Sequence, residues 1–260
     1  STFPCAAACV NDFNTKNPHK KIPSITVITD VVDSLEWIFK TTDMYFVPSY
    51  EIKNRYVQKG LDPSIFRVTG VPVSKSFICN KKLRSNKLRL LLMGGGRGLF
   101  DFDESFMHWL DDYLSKYKDM LDVTIVTGSN KKLYDILTLK KPLYNIDVRG
   151  FVTNMSDLLK NYDLMLTKSG GATLFEAISS NTPIIVKNPK VGQEIENAKF
   201  IRDKGIGILY DNDEDLKDLI KDLLNKKLDS RVEFMDENIT YFKTTIHPDK
   251  IGDYVFELLK

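Results

Sequence analysis

The sequence predicts an α/β protein with a complete Rossmann-like parallel-sheet lobe in its C-terminal part and a partial lobe of the same kind before it. Three observations carry this expectation. Short apolar runs recur at 88–93, 123–127, 146–148, 164–167, 183–186 and 207–210. Amphipathic stretches alternate with them, and glycine- or amide-rich loops follow three of the runs. Runs that are apolar throughout suit strands buried on both faces of a parallel sheet. Strand and helix in regular alternation imply right-handed crossovers and a doubly wound sheet.

From the beginning of the chain, 25–29, 44–48 and 66–69 read as strands and 50–59 as a helix. Three strands fall short of the five or six in an average sheet, so this lobe is incomplete. The stretch 74–87, with Lys75, Lys81, Lys82, Arg84 and Lys87 and few periodic apolar residues, reads as an interlobe linker. The expected division is therefore 1–86, the remainder of an N-terminal lobe plus linker, and 87–260, a C-terminal ligand-binding domain. Within 103–120, Phe106, Trp109, Leu110, Tyr113, Leu114 and Tyr117 recur at three- and four-residue steps and predict a helix. That helix would carry His108 on its exposed side. Shorter helices are predicted over 131–139, 155–161, 172–179, 193–203 and 214–224.

Composition narrows the function. The chain has 260 residues, 42% hydrophobic and 28% charged, as ordinary globular proteins do. It lacks the run of about 18 apolar residues that a membrane-spanning helix needs. Cys5, Cys9 and Cys79 have no metal-ligand spacing and suggest a reduced, cytoplasmic protein. His19, His108 and His247 lie far apart and argue against a zinc site. Residues 1–86 carry 12 Lys/Arg against 7 Asp/Glu, and the remainder 25 against 28. The basic first part suits either an anionic membrane surface or an ordinary solvated face. The opening Ser1-Thr2-Phe3-Pro4, without a methionine, suggests a processed product or a fragment.

The chemistry concentrates in three loops. Gly94-Gly95-Gly96-Arg97-Gly98 follows the run 88–93. Glycines let a backbone approach a phosphate closely, although the same cluster also suits a tight strand-to-helix turn. Lys168-Ser169-Gly170-Gly171-Ala172-Thr173 follows 164–167 and opens a helix whose N-terminus would attract phosphate, with Thr173 as a hydroxyl donor. Glu176, slightly further along, could accept both hydroxyls of a ribose or simply complement the helix dipole. Val191-Gly192-Gln193-Glu194-Ile195-Glu196-Asn197-Ala198 follows 183–186. Gln193 and Asn197, four apart on one helix face, together with Glu194 match sugar hydroxyls, or else cap a surface helix. All three loops leave strand C-termini, where open α/β sheets bind ligands.

These residues resemble a known family. Gly150-Phe151-Val152-Thr153-Asn154-Met155, Thr167-Lys168-Ser169-Gly170-Gly171, Glu176-Ala177 and Gly192-Gln193-Glu194 through Asn197-Ala198 are similar to the donor domain of GT-B glycosyltransferases related to lipid II-forming N-acetylglucosaminyltransferase. Within that group the sequence most resembles monogalactosyldiacylglycerol synthases and processive diacylglycerol glucosyltransferases. Val27-Ile28-Thr29-Asp30, Trp37, Val47-Pro48-Ser49 and Gly70-Val71-Pro72-Val73 extend the resemblance over nearly the whole chain.

The resemblance implies a GT-B type fold and transfer of a hexose from a UDP-sugar, UDP-glucose or UDP-galactose, to diacylglycerol or a related membrane lipid. Gly95, Gly96 and Arg97 would sit at the diphosphate, and Phe151 and Val152 would face uracil. Ser169, Gly170, Gly171, Ala172 and Thr173 would hold phosphate, Glu176 the ribose, and Gln193, Glu194 and Asn197 the sugar. No metal or other cofactor is expected, because glycine-loop amides and helix dipoles neutralise the leaving UDP. The enzyme would be cytoplasmic and peripheral at a membrane, with no nucleic-acid partner. The family places a strand, a Gly-rich turn and a catalytic-site histidine ahead of the residues matched here. Ser34 stands where the diacylglycerol enzymes usually have a histidine, leaving Asp30 as the acid–base residue or a structural cap. Two alternatives share the architecture: a non-catalytic UDP-sugar-binding subunit that needs a partner lobe, and a UDP-N-acetylglucosamine 2-epimerase-like enzyme.

Overall fold

A computed structural model describes residues 1–79, 87–100, 102–190 and 192–260. Residues 80–86 of the expected linker, with Lys81, Lys82 and Arg84, lie outside the described residues, as does Val191 of the third loop. The chain forms two compact units, Ser1–Val73 with Phe242–Lys260, and Ser74–Tyr241.

The first unit contains α1 (Pro4–Lys16), β1 (Ile25–Val27), β2 (Met44–Val47), α2 (Tyr50–Gln58) and β3 (Phe66–Val68). The strands form a parallel sheet in the order β1-β2-β3. β2 is buried at every position, as its run Met44-Tyr45-Phe46-Val47 requires. Ser49 caps α2 by accepting from the Ile52 amide at 3.4 Å. The core closes around Tyr56 stacked on Phe66, with ring centroids 5.2 Å apart. Both buried phenols are satisfied: the Tyr56 hydroxyl donates to Ser34 C=O at 3.0 Å and the Tyr45 hydroxyl to Phe39 C=O at 3.1 Å. The C-terminal tail packs here, with Tyr254 6.2 Å from Phe46 and under the Arg67 guanidinium.

The second unit alternates β4 (Leu88–Met93), α3 (Glu104–Leu114), β5 (Leu121–Val126), α4 (Lys131–Asp135), β6 (Asp147–Arg149), α5 (Met155–Leu159), β7 (Leu164–Thr167), α6 (Gly171–Ser179), β8 (Ile184–Lys187), α7 (Glu194–Asp203), β9 (Gly207–Tyr210), α8 (Asp213–Leu224) and α9 (Asp229–Thr244). The last helix of the chain is α10 (Ile251–Leu259). Among the described residues the sheet of this unit has six parallel strands in the order β6-β5-β4-β7-β8-β9. Leu90, Leu91 and Leu92 of β4 are all buried, as are all residues of β7. Two consecutive apolar residues can both be buried only where helices cover both faces, which is why these strands read as continuous apolar runs. Asp103, Asn130 and Asn212 cap α3, α4 and α8 through their side chains.

Four details differ from the sequence reading. The unit boundary falls at 73/74, not 86/87, because residues just after it bond into the second unit: Ser180 Oγ donates to Phe77 C=O at 3.1 Å and the Cys79 amide to Ser179 C=O at 3.3 Å. The chain after Tyr241 belongs to the first unit. The 103–120 helix stops at Leu114; beyond it, amides of Ser115, Tyr117 and Met120 make i→i−3 bonds, which keep Trp109, Tyr113 and Tyr117 stacked on one side without an α-helix. His108 is not on an exposed face: its Nε2 is buried, with no hydrogen-bond partner among the described residues.

Candidate functional site

Strands β4, β5 and β6 run outward in one direction and β7, β8 and β9 in the other, so the chain reverses its order between β4 and β7. At such a switch point the loops after the two central strands diverge and leave a crevice at the strand C-termini. The glycine loop leaves β4 there, and the Lys168–Gly171 segment leaves β7. The 150–154 loop follows β6 and the 188–193 segment follows β8 on either side.

The glycine loop is held by its own backbone and by the loop after β5. The Gly98 amide donates to Gly95 C=O at 3.0 Å and the Leu99 amide to Gly94 C=O at 2.9 Å. Ser129 donates to Gly96 C=O from its amide at 2.9 Å and its hydroxyl at 3.1 Å, and Asn130 Nδ2 donates to Gly98 C=O at 3.1 Å. The sequence reading missed this supporting segment, although Gly128-Ser129-Asn130 directly after an apolar run is a turn signal. Gly98 has φ +62°, and a methyl built there would sit 1.8 Å from Thr127 carbonyl oxygen. Glycine at 98 is thus demanded by the fold. Gly96 and Gly170 are different: neither has positive φ, and a built Cβ at either meets nothing within 4 Å. Bare backbone facing open space is what a loop needs if another molecule is to lie against its amides. Gly95 is half-exposed and Arg97 is exposed beside it.

Helix α6 begins at Gly171, and its N-cap Gly170 offers no side chain to the first-turn amides. The first turn carries no acidic residue either, so the positive end of the helix has no anionic side chain of its own there. Ala172 is exposed, Thr173 half-buried and Gly171 buried. Ser169, expected at the phosphate, is 2% exposed and its hydroxyl donates to Glu194 C=O at 3.1 Å, so its side chain ties the loop to the start of α7 instead of facing a phosphate. Glu176 lies further along α6, half-buried. Burial pushes its carboxyl above the ordinary carboxylate range, and no neighbouring charge or hydrogen bond among the described residues offsets that cost.

Phe151 and Val152 follow β6, with Phe151 70% exposed, a large ring left in solvent beside the crevice loops. Gln193 and Glu194 start α7, Gln193 exposed and Glu194 half-buried. Asn197 is placed otherwise than its spacing suggests. It is 0% exposed, and its Nδ2 donates to Ser169 C=O at 2.7 Å. It therefore ties α7 to the loop after β7 instead of presenting an amide to a sugar. Asp30 lies in the first unit, half-buried just past the C-terminal end of β1.

Among the described residues no group of three or more His, Cys, Asp or Glu side chains could hold a metal ion. No helix among them is long and apolar enough to cross a membrane. A hollow of about 550 Å³ opens at the opposite, N-terminal ends of β4 and β5, lined by Lys87, Arg89, Lys118 and Asp122 among others. Lys87 is paired there with Asp122 at 2.5 Å and Arg89 with Asp163 at 3.4 Å, and the hollow has neither glycine loop nor helix N-terminus among its lining residues. The switch-point crevice, which has both, is the better ligand site.

The profile of the glycosyltransferase family 28 C-terminal domain matches residues 90–248, and that of monogalactosyldiacylglycerol (MGDG) synthase matches residues 1–73. The chain belongs to this glycosyltransferase family. A processive diacylglycerol beta-glucosyltransferase of Staphylococcus aureus (strain NCTC 8325 / PS 47) is 30% identical over 96% of this chain. The chain spans 62% of the length of that relative. Acinetobacter baumannii MurG superposes with a TM-score of 0.64 at 15% identity, covering 95% of this chain and 70% of the other. A putative UDP-N-acetylglucosamine 2-epimerase from Listeria monocytogenes superposes with a TM-score of 0.60 at 14% identity, covering 93% and 73%. At these identities the likeness is one of fold, and the fold is of the GT-B type.

Proposed function

We propose that this chain carries the donor-binding part of a hexosyltransferase that moves a sugar from a UDP-sugar to diacylglycerol or a related membrane lipid. The uncapped amides of α6 and the Gly95-Gly96-Arg97 turn take the diphosphate, the first by dipole and hydrogen bonds, the second by backbone approach and a guanidinium. Phe151 and Val152 flank the uracil. Glu176 accepts from the ribose hydroxyls, and Gln193 and Glu194 read the hexose. The lipid hydroxyl then attacks the anomeric carbon as the bond to the diphosphate oxygen breaks, which inverts the configuration. UDP leaves with the electron pair, its growing charge met by the same amides and by Arg97. The hydroxyl proton passes to a general base, for which Asp30 is the residue of the first unit, alone or orienting the acceptor. The reaction places the enzyme at a membrane surface, on the cytoplasmic side where UDP-sugars are used.

The observation that carries this reading is Glu176: a half-buried carboxyl with its value raised by burial, on the helix whose N-terminus is left uncapped. Such a group is costly in the free protein and gains when hydroxyl donors reach it. Two measurements test the proposal. Calorimetry with UDP, UDP-glucose and UDP-galactose should give saturable binding of UDP. Incubation with each UDP-sugar and diacylglycerol vesicles, followed by identification of the glycolipid, tests the acceptor. Well-folded protein that binds no UDP would remove the donor assignment altogether.

A further inference from the structure

The phosphate-side loop and the hexose-side helix leave neighbouring strands, β7 and β8, which pair in parallel register Met165↔Ile184 through Thr167↔Val186. Beyond the strand ends the backbone ladder no longer fixes their separation. Two side chains cross the gap in opposite directions. Asn197 of α7 donates through Nδ2 to Ser169 C=O at 2.7 Å, and Ser169 Oγ donates to Glu194 C=O at 3.1 Å. Asn197 is wholly buried and Ser169 nearly so. An amide buried this deeply is costly unless bonded, so the pair holds only in a narrow range of loop separations.

We propose that Ser169 and Asn197 form a positioning clasp that sets the distance between the phosphate-binding amides of α6 and the hexose-reading start of α7. This rests on the donor assignment above and adds to it a role for residues that touch no ligand. Ser169 immediately precedes Gly170, the cap of α6, and Glu194 immediately follows Gln193, the cap of α7. The Ser169–Glu194 bond therefore joins the two helix starts within one residue of each cap, and the Asn197 bond adds a second tie one turn into α7. Sugar discrimination depends on placing hydroxyl-matching groups to a fraction of an ångström, whereas diphosphate binding to backbone amides tolerates more. Loosening the clasp should damage the first and spare the second.

The test compares wild-type chain with Asn197→Ala and Ser169→Ala, measuring affinity for UDP, UDP-glucose and UDP-galactose by calorimetry and melting temperature alongside. The expected result is UDP affinity within about threefold of wild type, with the preference between the two UDP-hexoses reduced about tenfold or more. Unchanged preference in both variants overturns the clasp. So does a parallel loss of UDP and UDP-hexose affinity together with a lower melting temperature, which is the mark of a purely structural bond. Should Asn197→Ala not fold, Ser169→Ala carries the comparison, since it removes one hydroxyl and leaves the Asn197 bond to the backbone carbonyl. A wild-type chain that binds no UDP defeats the donor assignment first, and the clasp falls with it.

Discussion

Replacing Glu176 by Gln changes one oxygen of the carboxyl to an NH₂ and removes its charge. In the free protein burial raises the Glu176 carboxyl with no compensating partner among the described residues, so its ionisation is a cost that the fold carries. The sign follows for stability: a folded value above the ordinary one contributes stability at low pH, and that contribution is lost as pH rises through the raised value. Glu176→Gln should therefore melt no lower than wild type near pH 7. UDP binding should move the other way. A carboxylate accepting from ribose hydroxyls makes charged hydrogen bonds, each worth about 1.5–3 kcal/mol, and part of this is offset by desolvation of the ribose hydroxyls. A net loss of about 1–3 kcal/mol corresponds to roughly 5- to 150-fold weaker UDP binding. Pyrophosphate, which lacks the ribose, should bind the variant nearly as well as wild type. The assay is calorimetry with both ligands, accompanied by thermal melts. Equal weakening of UDP and pyrophosphate, or a lowered melting temperature, would mean that Glu176 supports the loop, and the ribose assignment would be wrong.

Three further outcomes are expected. UDP affinity of wild type relative to Glu176→Gln should rise with pH through the raised Glu176 value and then level, because hydroxyl donors favour the ionised form and binding releases its proton; a ratio flat with pH refutes this. Gln193→Ala should leave UDP affinity almost intact and weaken the preference among UDP-sugars, read by competition between UDP-glucose and UDP-galactose; equal loss of both contradicts the hexose placement. Gly96→Ala should melt like wild type yet lose about tenfold or more in UDP affinity, whereas Gly98→Ala, with φ +62° and a carbonyl in its way, should lose about 2–4 kcal/mol of stability. If Gly96→Ala binds UDP normally, the open backbone at that turn does not face the ligand.

The sequence foretells the strands of both units and helix α2 well, and the helices at either end of the first unit poorly, for a physical reason. β4, β7 and β9 begin and end where their apolar runs do, because a strand covered on both faces must be apolar throughout. Helix α1 went unread: Pro4-Cys5-Ala6-Ala7-Ala8-Cys9 has little amphipathic contrast, and only Ala7 and Asn14 are buried. Helix α9 was legible in principle, since Val232, Met235, Ile239 and Phe242 recur at three- and four-residue steps. In the crevice, spacing located the loops but could not say which way each polar group faces. Gln193 and Asn197 share one helix face by number, yet the first is exposed and the second wholly buried. Helical geometry fixes a direction around the axis and says nothing of what lies beyond it.

The first unit is assembled from both ends of the chain, Ser1–Val73 and Phe242–Lys260, while the second is one continuous stretch between them. This has a consequence for the order in which the molecule is made. A chain synthesised from its N-terminus can complete the second unit as soon as Tyr241 has emerged. Residues 1–73 must wait for residues 242–260, including Tyr254 with its contacts to Phe46 and Arg67, before their own unit can close. Removing residues 242–260 should therefore be felt in residues 1–73, and the segment 74–241 is the piece to express when one continuous unit is wanted.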